Sequence, residues 1–168
     1  LAEACGLQEK MTELYLDKEN GGFFDDDGTD SLLIKRSKTF EDYVTPSANA
    51  VAALSLFRLG ELTGEPKYYD QAQKVLEAAA LLLEEYPQSC PLLLQLVDRL
   101  TTKSFQVMIP MSEFERSQSM RAGFLPYVSW TMNKTAPGFL VCSEKTCSAP
   151  LEAPDALNQI SERKTYAL

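Results

Sequence analysis

The segment from Thr45 to Leu62 limits the possible folds more than any other part of this sequence. Thr45-Pro46 reads as a helix start, a hydroxyl cap followed by proline at the first helical position. Beyond it come Ala48, Ala50, Val51, Ala52, Ala53, Leu54, Leu56, Phe57 and Leu59. The first half of this helix is small and apolar almost all round. A helix of that kind is buried on most sides, with neighbouring backbones close. The rest of the chain has to pack around it.

The flanking segments supply the packing partners. Thr63-Gly64 ends the buried helix, and Glu65-Pro66 starts the next. Over residues 66–86, Tyr68, Ala72, Val75, Ala79, Leu82 and Tyr86 fall on one stripe, which predicts a one-sided, outward-facing helix. A third helix is predicted from Pro91, carrying Leu92 to Leu100. The short links between these helices imply antiparallel neighbours, hence stacked helical hairpins. Residues 1–17 also read as a helix, stopped by Asn20-Gly21-Gly22. Gly22-Phe23-Phe24 and Ser31-Leu32-Leu33-Ile34 are short β-like runs on either side of an Asp-rich stretch with an Asp27-Gly28 step, so a β-hairpin is expected near 22–34. The acidic stretch does not fit a calcium loop. With Gly28 at the sixth loop position the first ligand would be Phe23, so a solvated turn is the reading and no metal site is assigned.

The texture changes near Ser104. Phe105 to Pro110 and Phe139 to Cys142 read as strands, with a weak helix near Glu113 to Met120 between them and a last short helix over Asp155–Arg163. The expected organisation is a mainly α body over 1–102 and a small α/β C-terminal subdomain over 103–168.

Several classes of function are disfavoured by composition. The net charge of −8 opposes nucleic acid and anionic membrane surfaces, so neither is expected as a partner. No apolar run reaches the ~18 residues of a spanning helix. There is no histidine, which removes the commonest general base, Ser–His and Cys–His nucleophile pairs and His-containing metal sites. Four cysteines are too few for a disulfide scaffold at this length, and reduced thiols in a cytosol are expected, with a cytoplasmic location. The chain opens on Leu1 already in helical rhythm, as a piece of a longer protein would.

Three constellations bear on chemistry. Around the start of the buried helix, Lys38, Glu41, Asp42, Ser47 and Asn49 concentrate polar groups where free N–H donors and a partial positive charge lie. They read either as capping and loop packing or as ligand-lining, with Lys38, Asp42, Ser47 and Asn49 the candidate contacts. Cys142 and Cys147 are separated by four residues, unlike the two of a usual redox pair. They read as structural thiols at a turn, bonded or free, with a redox pair or a metal site as alternatives. The adjacent pairs Glu41-Asp42 and Glu84-Glu85 lack the opposed geometry of glycoside chemistry. No catalytic residue, cofactor or metal is assigned.

A family resemblance runs through these residues. Gly21-Gly22-Phe23-Phe24, Lys38-x3-Asp42-x3-Pro46-Ser47-x-Asn49-x-Val51-Ala52-Ala53-Leu54, Arg58-Leu59-x3-Thr63-Gly64, Tyr86-Pro87 and Val141-Cys142-x4-Cys147-x2-Pro150 occur in that order. Together they resemble the C-terminal part of the thioredoxin-domain-containing proteins related to bacterial YyaL and to spermatogenesis-associated protein 20. The resemblance implies a partial (α/α)6 toroid of antiparallel helical hairpins, like that of the N-acylglucosamine 2-epimerases and the six-hairpin glycosidases. It also implies a thioredoxin-like domain elsewhere in the parent chain as a partner. A carbohydrate-like or small polar ligand in the toroid is implied too, with the parent epimerase-like or redox-associated and this piece not catalytic alone. An incomplete toroid would associate with the rest of its chain or with itself. The alternative is a scaffold or interaction module serving the redox domain. Two positions depart from the pattern: Asn49 stands where the epimerases carry a sugar-facing Glu, and Ala48 where the family usually has Gly.

Overall fold

The computed structural model of the chain describes residues 1–123, 125, 127–143, 146–153, 155, 156, 158 and 160. It divides into two compact units, Leu1–Asp98 and Arg99–Leu168. The division lies inside a helix, a few residues before the change of texture that suggested 102/103. Among the described residues no helix is long and apolar enough to cross a membrane.

The first unit is helical: α1 (Ala2–Tyr15), α2 (Ala48–Thr63), α3 (Pro66–Ala78), α4 (Ala80–Glu85) and α5 (Pro91–Thr101), whose last turn passes into the second unit. In α2 the residues Ala50, Ala53 and Leu56 are wholly buried, while Val51 lies on an open side. The helix starts later than Thr45-Pro46 suggests. Its cap is Ser47, whose Oγ accepts from the Ala50 N–H at 3.1 Å. Asp42 already takes the Ser47 N–H at 2.7 Å, so the chain is fixed up to Ser47 before the first turn begins. Gly64, at φ 74°, closes the helix with its N–H on the Gly60 carbonyl at 2.8 Å.

Small residues let α3 come close to α2. A Cβ on Gly60 would stand 2.8 Å from the Tyr69 ring, which meets Phe57 edge-on with centroids 5.4 Å apart. Tyr68, Ala72, Val75 and Ala79 are buried, as their shared stripe predicts. The single helix expected over 66–86 is broken at Ala79 (φ −98°, ψ 1°). There the N–H is shared between the Val75 and Leu76 carbonyls, a tightened last turn. Leu93 and Leu96 of α5 complete this core.

The β-hairpin expected near 22–34 is not formed. Short Asp side chains bond their own backbone instead: Asp26 to the Gly28 N–H at 2.8 Å, Asp27 to the Thr29 N–H at 3.0 Å, and Asp30 to the Leu32 N–H at 2.9 Å. These local turns compete with a ladder. The partner of Asp25 lies further on, its N–H donating to the Ser37 carbonyl at 2.9 Å.

The second unit is built on a mixed sheet of order β2-β1-β3-β4, from β1 (Phe105–Pro110), β2 (Val128–Asn133), β3 (Leu140–Ser143) and β4 (Thr146–Cys147). β1 alternates, with Phe105, Val107 and Ile109 buried. It pairs in parallel with β2 and antiparallel with β3. The parallel pair needs a crossover, which includes the short helix α6 (Gln118–Ala122). β2 is absent from the sequence reading. The last helix, expected over Asp155–Arg163, lies partly outside the described residues; Asp155, Ala156, Asn158 and Ile160 are helical.

Candidate functional site

Two irregular stretches of the first unit, 17–24 after α1 and 35–40 before α2, flank an open hollow of about 730 Å3. Asp17, Asn20, Phe24, Lys35, Arg36, Ser37, Lys38 and Phe40 line it.

The first wall is a tight reversal at the end of α1. The Asp17 N–H donates to the Gly22 carbonyl at 2.9 Å, and the Phe24 N–H to the Tyr15 carbonyl at 2.8 Å. The reversal needs Gly21 and Gly22, both at positive φ (70° and 74°). Space is as limiting as angle. A Cβ on Gly21 would stand 2.6 Å from the Lys74 carbonyl oxygen, and one on Gly22 would stand 2.9 Å from the Phe40 ring and 3.2 Å from Asn49 Oδ1.

Asp17 and Lys38 join the two walls. The Lys38 ammonium donates to Asp17 Oδ2 and to the Gly21 carbonyl, each at 2.8 Å. Asp17 Oδ1 also accepts the N–H groups of Glu19 (2.9 Å) and Asn20 (3.0 Å). The Lys38 ammonium, with these backbone donors, holds the Asp17 carboxyl well below the usual carboxylate range. Arg36 lies over the Phe24 ring, 4.1 Å from its centroid, and pairs with Asp26 at 3.1 Å.

The structure does not gather the four candidate contacts at one place; of them only Lys38 lines the hollow. Asn49 is wholly buried behind it. Its Oδ1 accepts from the Phe23 N–H at 2.6 Å, and its Nδ2 donates to the carbonyls of Phe23 (2.9 Å) and Thr39 (3.0 Å). It thereby ties both walls to the first turn of α2. Asp42 bonds two helix starts, accepting from the N–H groups of Ser47 at 2.7 Å and Leu92 at 2.8 Å. Ser47 is the helix cap. Asn49, Asp42 and Ser47 therefore hold the frame on which the hollow stands.

Sequence reasoning missed Asp17, Asn20, Phe24, Lys35, Arg36 and Phe40. The signal for Asp17 and Asn20 was their place just before two glycines, which reads as a helix stop and nothing more. Of the three basic residues on the wall, the sequence singles out only Lys38, as a candidate contact, and gives Lys35 and Arg36 no role.

In the second unit, Cys142 and Cys147 sit opposite each other on β3 and β4 and form a disulfide. The expectation of reduced thiols thus fails at these two positions, because the antiparallel register places the two side chains side by side. Cys142 is buried and Cys147 exposed. Cys5 and Cys90 are free. Among the described residues no group of three or more His, Cys, Asp or Glu side chains could hold a metal ion.

Over 91 residues, 52% of its length, the chain is 35% identical to spermatogenesis-associated protein 20 of Rattus norvegicus. It is 33% identical over 91 residues to the Mus musculus protein of that name, and 32% identical over 89 residues to the Homo sapiens one. In each case the matched stretch is 11% of the relative's length, so the chain spans a small part of the proteins it matches. No family model matches the chain, and no solved structure does.

Proposed function

We propose that this chain is a piece of the helical-toroid part of a cytoplasmic, thioredoxin-domain-containing protein related to spermatogenesis-associated protein 20. Its hollow holds a small polar, carbohydrate-like ligand. The likeness over half the chain supports the first statement. The second rests on one observation: Lys38, fixed by Asp17 and the Gly21 carbonyl, stands on the wall of a hollow whose frame is hydrogen-bonded from behind by Asn49. A cation held before the ligand arrives loses little freedom on binding. The chain contributes binding surface and no chemistry of its own. The exposed apolar side chains Leu32, Ile34, Tyr43 and Val44 are covered by the remainder of the longer protein.

Calorimetric titration with monosaccharides, polyols and sugar acids tests this reading. Binding heat is expected for at least one class and is lost in Lys38→Ala. No heat from any class, or heat unchanged in Lys38→Ala, would remove the hollow as the site.

The disulfide supports a second reading, a module read by a redox domain. Its Cys147 side is exposed, and a disulfide in a cytosolic protein is more often transient than structural. Rapid thiol exposure at Cys142 and Cys147 with a protein dithiol, and not with a monothiol at equal concentration, is the result this reading expects.

A further inference from the structure

We infer that the hollow is an anion subsite, which takes the carboxylate or phosphate group of the small polar ligand proposed above. The inference rests on that ligand reading and narrows it to an acidic compound.

Charge gives the first reason. The whole chain carries −8, yet the lining of this hollow holds Lys35, Arg36 and Lys38 against one carboxylate, Asp17. Asp26 pairs with Arg36 without lining the hollow, and Asp25 receives hydrogen bonds from the Ser37 and Thr39 hydroxyls at 2.9 Å each. Lys35 is left as an exposed cation with no ion-pair partner among the described residues.

Donor capacity gives the second. An ammonium has three N–H groups, and Lys38 uses two, on Asp17 and the Gly21 carbonyl. A guanidinium has five. Arg36 spends Nε on Asp26 Oδ1 and Nη2 on the Leu14 and Asp26 carbonyls, so among the described residues Nη1 keeps both of its donors. Stacking on Phe24 holds the guanidinium plane, so these donors are fixed before any ligand arrives. Charged donors held in this way suit an anionic oxygen, because charge-assisted hydrogen bonds are roughly twice as strong as neutral ones. Phe24 and Phe40 line the hollow beside these donors and supply apolar surface for a carbon skeleton.

Calorimetric titration of the chain with glucose, glucuronate, glucosamine and inorganic phosphate tests the inference. Glucuronate is expected to bind on the order of tenfold more tightly than glucose, and glucosamine more weakly than either. Inorganic phosphate binding alone assigns recognition to the anion itself and supports the subsite. Lys35→Gln, at a side chain with no structural partner, is expected to weaken glucuronate by several-fold and leave glucose unchanged. Raising salt from about 50 to about 300 mM is expected to weaken glucuronate only. If glucose binds as tightly as glucuronate, the anion subsite is wrong while the ligand reading survives. If none of the four binds, both fall together.

Discussion

Asn49 occupies a position where every polar atom has to be matched, since the residue is wholly buried. Its amide makes three hydrogen bonds, two to Phe23 and one to Thr39. Asn49→Ala strands one donor and two acceptors away from water, and is expected to cost about 3 kcal/mol, seen as a lower urea midpoint. Asn49→Asp should be no milder, because a carboxylate would face the two carbonyls that Nδ2 now serves. A midpoint within error of the wild type for Asn49→Ala would show that the frame does not depend on this residue. Asp17 gives a prediction in pH. Its carboxyl, held down by the Lys38 ammonium and by the N–H groups of Asn20 and Glu19, binds fewer protons folded than unfolded. The stability it adds is therefore present above the unfolded carboxylate value of about 4, and is lost as pH falls from there toward its folded value. The difference in stability between wild type and Asp17→Asn should be widest near neutrality and shrink below about pH 4; a constant difference would contradict the assignment. The residue types were legible here and their partners were not. Asn49 and Lys38 stood out as polar groups around a buried helix, but their hydrogen bonds reach back 26 and 21 residues, to Phe23 and Asp17, beyond any local pattern.

At the level of elements, periodicity read well wherever one apolar stripe decides burial. α3 starts, and α5 lies, where the 3.6-residue pattern places them, and β1 shows its alternation; α1 forms as read although its apolar stripe is not buried. β2 was legible and was missed: Val128, Trp130 and Met132 alternate with Ser129, Thr131 and Asn133 as in a half-buried strand, although the burial departs from that alternation, with Val128 and Ser129 buried in succession. The hairpin near 22–34 was read from turn chemistry, but the Asp side chains that favour turns here close several small ones in place of a single tight reversal. Asp42 is the clearest device at this scale, because one carboxylate joins the starts of α2 and α5. Asp42→Ala should cost about 2 kcal/mol by leaving two backbone donors at helix starts unmatched, and Asp42→Asn less, since one carbonyl oxygen remains. Unchanged stability in both variants would return Asp42 to the role of a direct ligand contact.

The molecule as a whole has a separate buried cluster in each unit, one around α2 and one around β1. It also exposes large apolar side chains, with Ile34 and Val44 at about the full exposure of an extended chain (103% and 101%). On the proposal that the remainder of a longer protein covers them, the isolated chain is expected to self-associate. Sedimentation velocity should show a species larger than a monomer, which Ile34→Lys combined with Val44→Lys returns to the monomer. A wild-type chain that sediments as a monomer at high concentration would contradict the cover. The hollow between 17–24 and 35–40 is where these scales meet: the spare cationic donors stand on its walls, and Asn49 ties those walls from behind to the first turn of α2. An amide NMR titration with glucuronate tests that convergence most directly. Shifts should concentrate at Asp17, Asn20, Phe24 and residues 35–40, and vanish in Lys38→Ala; shifts confined to residues 99–160, or none at saturating ligand, would contradict the account.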